Sequence, residues 1–484
     1  VSAIDQAANQ SLTPIATKRS EISLAGEGAL DAVKIGAGET YLGAFGVLLG
    51  GSHLQIGALA TLPPLIGAIS QVMGMRLAER VHSRRELVSL LIRMQGLVWL
   101  PIALIAFVYR PGWWAVSALL LLASIHHILS GIIVPIWNSL VGDVVSPTVR
   151  GAFFGQRNRL IAVFSFGSLV AAGSLIHMFS VAHEELYAFA VVFLIAGLAR
   201  ALSGRLMLQV HDPRAHIPEL VTFTFWQFIR RVRSSNFVRF VLFVSLVNFG
   251  ASISGPYFAV YMLKDLKLSY LQFTGAICAS VVAQFLVMRT WGLFADTFGN
   301  RKILSVCSWF VACSPLLWLL SSHYLFILVA QFYSGFFWSG FNIAAANFVF
   351  DAVTPAKRAR CIAYQGIING LLVFLGGVCG GALATYVLPR MSLPTGFGAH
   401  TSHFIGLFLV SGLLRLTAVF FLLNSFKEVR QVAGISGHQL LIRIVSVRPF
   451  WGATYSFVSG TYSVITRRPR LRSKAKKKPE VIEE

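Results

Sequence analysis

Gly292-Leu293-Phe294-Ala295-Asp296-Thr297-Phe298-Gly299-Asn300-Arg301-Lys302 stands between two long apolar runs. Arg76-Leu77-Ala78-Glu79-Arg80-Val81-His82-Ser83-Arg84-Arg85 takes the same place in the first half of the chain. Glu79 and Asp296, Arg84 and Arg301, and Arg85 and Lys302 are each 217 positions apart. A second pair of segments, Asp143-x3-Pro147-x2-Arg150 and Asp351-x3-Pro355-x2-Arg358, repeats with an offset of 208. Two independent motifs repeating at nearly one spacing mark an internal duplication.

The runs around these motifs set the class. Of the 484 residues 56% are hydrophobic and only 12% charged, mean hydropathy is +0.70, and there are 38 Phe. A soluble core cannot hide that much apolar surface. Crossing about 30 Å of hydrocarbon takes roughly 20 apolar residues, and twelve runs of that kind occur, the first over 29–50. The expected fold is an all-α integral membrane protein with twelve transmembrane helices in two pseudo-symmetric bundles of six. A β-barrel, which alternates apolar and polar residues over short segments, does not fit runs this long.

Boundaries follow from the breaks. A segment 1–28 precedes the first bundle at 29–208; a connection at 209–236 leads to the second bundle at 237–425; 426–484 form a basic tail ending in Arg467-Arg468-Pro469-Arg470-Leu471-Arg472-Ser473-Lys474-Ala475-Lys476-Lys477-Lys478. Leu220–Arg233 is too short and too charged to span and reads as an interfacial helix. Lys and Arg crowd the connections on one side (Arg76, Arg80, Arg150, Arg157, Arg230, Arg231), whereas the other side has Arg110, Lys264, Lys267 and Arg390. Positive charge collects on the cytoplasmic side, so both termini are expected there, and the net charge of +22 is mainly a topology signal. Scattered in this way, it does not suggest a nucleic-acid surface. The N-terminal segment lacks the apolar core and cleavage site of a signal peptide. The five Cys read as apolar packing residues, neither disulfides nor metal ligands.

Twelve spans as two sixes, a longer central connection and the G-x3-D-x2-G-x-[RK]-[RK] segment between spans eight and nine resemble the major facilitator superfamily of secondary transporters. The first-half copy departs from the pattern, with Met75, Glu79 and His82 where Gly292, Asp296 and Gly299 stand in the second. The resemblance implies alternating access, no cofactor, a bacterial inner-membrane location, and a cavity lined by spans one, four, seven and ten. One chain already holds both halves of that cavity, so a monomer is expected.

The motif also has a mechanical reading. Gly292 would allow close helix approach, Gly299 the positive φ of a tight turn, and Asp296 could accept bonds from a helix N-terminus or an arginine. Glu79 with Arg84 and Arg85, Asp296 with Arg301 and Lys302, Asp143 with Arg150, and Asp351 with Arg358 are the candidate gate pairs.

Ionisable residues at membrane depth are functional hypotheses by default. Span one carries Asp31, Lys34, Glu39 and Tyr41. On an α-helix Lys34 sits three after Asp31 and can pair with it, leaving Glu39 as the unpaired carboxylate and proton-coupling candidate. His126 and His127 are adjacent in span four; His126 is a further proton site and His127 a solute contact, and their spacing is wrong for a metal. Tyr41, Asn248, Tyr257, Tyr261, Trp338 and Asn342 complete the cavity candidates, with Gln365 and Asn369 from span eleven. Arg200 and Arg415 are expected to reach toward the inner surface as structural residues.

No nucleotide-binding G-x4-G-K-[ST] occurs, so an ion gradient, with H+ the expected ion, would drive a small solute. Nothing is spaced as an embedded nucleophile with its base, so an enzyme is not expected. A multidrug/proton antiporter and a non-transporting receptor on the same fold are the alternatives: span five lacks the antiporters' Gly-Pro pair, and the degraded first motif with the basic tail suits the receptor.

Overall fold

The structure, a computed structural model, describes residues 14–108, 110–146, 149–212, 225–230, 235–390, 393–394, 401–430 and 432. Among them eleven helices are long and apolar enough to cross a membrane. In order they are span two (His53–Ala78), three (Arg84–Val108), four (Trp113–Val144), five (Arg150–Val181), six (Glu185–Met207), seven (Asn236–Asp265), eight (Tyr270–Phe298), nine (Asn300–Leu319), ten (Tyr324–Ala352), eleven (Arg360–Val387) and twelve (His403–Ser425). Span one is the more polar twelfth. It begins at Pro14, upstream of the apolar run at 29, and is built from Pro14–Val33, a π turn Lys34–Gly38, a short 3-10 turn Glu39–Tyr41 and Leu42–Leu48. Proline at a first helical position is already set at the helical φ, which accounts for the earlier start.

The duplication extends to the helix starts. Ser52 and Gln55 form a capping box ahead of span two; Ser269 and Gln272, each 217 positions later, form another ahead of span eight. In each, the serine hydroxyl accepts from the glutamine N–H while the glutamine side chain accepts from the serine N–H, satisfying two orphan donors.

Packing repeats as well. Spans one with five, two with four and three with six match seven with eleven, eight with ten and nine with twelve. The halves meet chiefly where span two crosses eleven and where span five crosses eight. The first is close because glycines face each other: a Cβ added to Gly57 would collide with the carbonyl oxygen of Gly377. Small residues let helices associate where lipid supplies no hydrophobic drive. Around the outside, Leu97, Trp114, Leu198 and Phe421 are exposed, as the lipid-facing side of a bundle requires.

The short helix Phe225–Arg230 lies in the central connection, where Phe225 and Phe228 pack on Tyr364. Arg231 and Arg233, and the basic run of the tail, lie outside the described residues.

Candidate functional site

The π turn in span one shapes the first cluster. On an α-helix, residues five apart point about 140° from each other, but a π turn brings i and i+5 together. Lys34 therefore reaches both sides: its Nζ lies 3.2 Å from Asp31 Oδ1 and 2.8 Å from Glu39 Oε1. Glu39 is paired, contrary to the α-helical expectation. Thr40 donates to the Ile35 carbonyl at 2.9 Å, an oxygen that also accepts from the Glu39 N–H.

The network continues through Arg200, expected from sequence at the inner surface, and through Glu27 and Gln95, which sequence reasoning passed over. Arg200 is buried, with its guanidinium 2.9 Å from Asp31 and 3.3 Å from Glu27; Arg157 meets Glu27 at 3.0 Å. Arg200 thus closes the cluster and does not extend to the inner surface. Its Nε donates to Gln95 Oε1 at 2.6 Å, and Gln95 Nε2 donates to the His126 carbonyl at 3.2 Å. Glu27, Asp31 and Glu39 balance Lys34, Arg157 and Arg200. His126 sits beside this neutral group, almost fully buried, its ring edge-on to Trp99 and its Nε2 3.8 Å from Glu39. Neither ring nitrogen has a hydrogen-bond partner among the described residues. His127 turns away and meets the Ala123 carbonyl at 2.9 Å.

Span twelve handles the corresponding arginine differently. Arg415, also buried, binds the hydroxyls of Ser254 and Ser314 and the carbonyl of Val311 at 2.9 to 3.1 Å. It too lies within the bundle and does not reach out.

A second site lies between spans seven, ten and eleven. A pocket of about 370 Å³ is lined by Asn248, Asn342, Gln365 and Asn369, with Val244 and Phe350 among its apolar walls. Asn248 Nδ2 donates to Asn369 Oδ1 at 2.7 Å. All four carboxamides were expected at the cavity, and the structure brings them together. Trp338 packs on Phe341 and is not among the lining residues; Tyr41, Tyr257 and Tyr261 are fully buried and are not either. Two of these tyrosines join the halves instead. Tyr41 Oη meets the Leu169 carbonyl and Thr274 Oγ1, each at 2.8 Å; Tyr257 Oη donates to the Gly377 carbonyl at 2.9 Å and the His53 carbonyl at 3.1 Å.

At the opposite end the motif residues form pairs other than those expected. Arg84, buried, bridges Asp143 at 2.6 Å and Asp212 at 3.1 Å. Asp212 also accepts from the Arg85 N–H at 3.1 Å, capping span three. In the second half Asn300 takes the place of Arg84 and donates to Asp351 at 2.6 Å, while Glu428 accepts from the Arg301 N–H at 2.7 Å. Arg430 completes this group, 3.0 Å from Asp351. Arg150 and Arg358 do not pair with Asp143 and Asp351. Each binds two carbonyls at the end of the preceding helix, Gly142 and Val145, or Phe350 and Val353, where cations are favoured.

Arg301 binds the Phe426 carbonyl at 2.7 Å and does not meet Asp296, which is exposed. Lys302 follows it on span nine. Gly299 has the positive φ expected, +90°, with Glu428 packed against it; Gly292 faces open space, so it does not serve helix contact. The side chain of Glu79 lies outside the described residues. Asp212 and Glu428, acids that follow the sixth span of each half, were the repeat signal available in sequence and not used.

Comparison with known proteins agrees with this geometry. The model of the Major Facilitator Superfamily matches residues 240–471. No curated protein sequence matches the chain. Among solved structures, the nucleoside transporter NupG shares 15% identity, with 84% of this chain and 99% of that one covered at a TM-score of 0.62. A POT family transporter in complex with 5-aminolevulinic acid shares 11%, covering 84% and 96% at 0.63. A bacterial homologue of the human lysosomal transporter Spinster shares 14%, covering 91% and 97% at 0.56. The family model thus covers the second half of the chain, and both halves of this multi-pass membrane protein have the fold of these transporters.

Proposed function

We propose that the protein is a secondary active transporter that moves a small solute across the inner membrane by alternating access, coupled to protons through Glu39. The observation that carries this reading is the Lys34 ammonium held between Asp31 and Glu39 at the π turn of span one, with His126 Nε2 3.8 Å from Glu39. A titratable group at membrane depth is costly and is kept for a use. Protonating Glu39 removes one of the two anions on Lys34, so the ammonium relaxes onto Asp31 and the hold on the π turn loosens. His126 is positioned to exchange that proton. The carboxamide pocket takes the solute, and the Arg84 and Asp351 groups hold the ends of the helices that must move. Both termini are assigned to the cytoplasm, and the working unit is one chain.

The test is proton movement in proteoliposomes with a pH dye and pools of candidate solutes, wild type beside Glu39→Gln. Solute-dependent proton flux that the substitution abolishes supports the reading. Flux that survives moves the proton site away from Glu39. No proton flux with any pool, with solute binding intact, overturns proton coupling and points to a receptor-like or facilitative protein.

A further inference from the structure

On the outer face, under the topology proposed above, two histidines from different halves lie against each other. His53 begins span two and His403 begins span twelve, and their ring centroids are 5.6 Å apart. Both backbones are pinned. The His53 carbonyl accepts from the Tyr257 hydroxyl at 3.1 Å; Ser402, the cap of span twelve, donates to Asp265 and accepts from the Phe404 N–H at 3.1 Å. Phe404 lies edge-on to the His53 ring and also packs on His403. His403 Nε2 is buried there without a hydrogen-bond partner among the described residues. The groups that face His53 are His403 from span twelve and Tyr257, Lys264 and Asp265 from span seven, while span eleven meets it with the uncharged Gly381. Lys264 and Asp265 offset each other.

Protonation suits this closed arrangement poorly on three counts. An imidazolium needs an acceptor for each ring nitrogen, and His403 Nε2 has none among the described residues. Each ring stands at the first residue of a helix, where the free backbone N–H groups leave partial positive charge. Two imidazolium rings this close repel each other, and both residues are partly buried, so water screens them incompletely. Parting the halves relieves all three, because water then reaches both rings.

We propose that His53 and His403 form a proton-sensitive catch on the outer face, closed while both rings are neutral and released when protons reach them. Of the two forms the open one holds more protons, so a lower external pH shifts the balance toward it, by up to about 10-fold per pH unit for each proton gained. The catch is separate from Glu39: it biases which face opens, whichever group carries the coupled proton. It rests on the alternating-access reading for what opening means, but its readout is a distance and needs no solute.

The full chain in lipid nanodiscs, spin-labelled on the 110–112 and 266–269 loops, is compared at about pH 8 and about pH 5, the range over which histidine changes charge. The longer-distance population is expected to rise by about 10-fold at the lower pH in the wild type. That rise should shrink in His53→Gln and in His403→Gln, vanish in the double variant, and persist in Glu39→Gln; a melting curve for each variant checks its fold. A wild-type distribution that ignores pH overturns the inference, as does a response that the double variant keeps or that Glu39→Gln removes. Opening in Tyr41→Phe, Tyr257→Phe without any response to pH sinks the catch and keeps alternating access. One fixed distance in every variant and at both pH values sinks both.

Discussion

Tyr41 and Tyr257, 216 positions apart, are the same joint built twice. Each is fully buried, and each hydroxyl contacts one carbonyl in its own half and one group in the other. The two own-half carbonyls, Leu169 and Gly377, are themselves 208 apart, the offset of the second sequence repeat. A pair of equivalent bonds related by the duplication closes one face of the molecule between the halves.

Removing the pair tests that closure. One such hydrogen bond contributes about 0.5–1.5 kcal/mol, so the double variant Tyr41→Phe, Tyr257→Phe shifts the balance of this face toward the open form by roughly 5- to 150-fold. Distances between spin labels on the 50–52 and 266–269 loops report it. An unchanged distance distribution would mean that the joint is only packing.

Gly57 offers the opposite manipulation at the same crossing. Gly57→Val drives a Cβ into the Gly377 carbonyl and the Tyr257 hydroxyl, and a packed backbone contact does not yield that far. The variant is expected to hold this face open and stop solute flux while remaining folded, read as raised thiol labelling at position 53 in a His53→Cys background. Normal flux would show that the halves do not need this approach.

Lys34 and Glu39 should be energetically coupled. Lys34→Met leaves Glu39 without its cation and lowers stability by about 3–5 kcal/mol, the usual result of removing one partner of a buried pair. Glu39→Gln is milder, because Lys34 keeps Asp31 at 3.2 Å. The double variant therefore recovers stability relative to Lys34→Met, measured by thermal melting of the purified protein. Strictly additive losses would refute the coupling.

The motif residues are predicted to differ sharply in weight. Arg84→Ala strips two carboxylates of their shared cation and should cost about 2–3 kcal/mol, with a lower melting temperature. Asp296→Asn alters an exposed residue and should stay within about 0.5 kcal/mol. Equal losses from the two would mean that Asp296 has a partner in the folded protein that outweighs its exposure.

Much of the molecule was legible in the chain: the duplication and the spans. Membrane residence explains why. Each span must satisfy its own backbone bonds and present apolar side chains to lipid, so hydropathy and charge along the sequence determine where spans lie and which way they run. Other features came from partners far apart in sequence. Arg200 meets Glu27 across 173 positions and Arg84 meets Asp212 across 128, and nothing local marks such a choice. The pairing of Glu39 with Lys34 was missed although the two are close, because one π turn replaced the α-helical angle that local reasoning assumes. The sequence by itself determined the spans, their duplication and the residues available at depth. The tertiary structure alone decided which charges neutralise one another, because a buried charge takes its partner from whatever helix packing brings within reach.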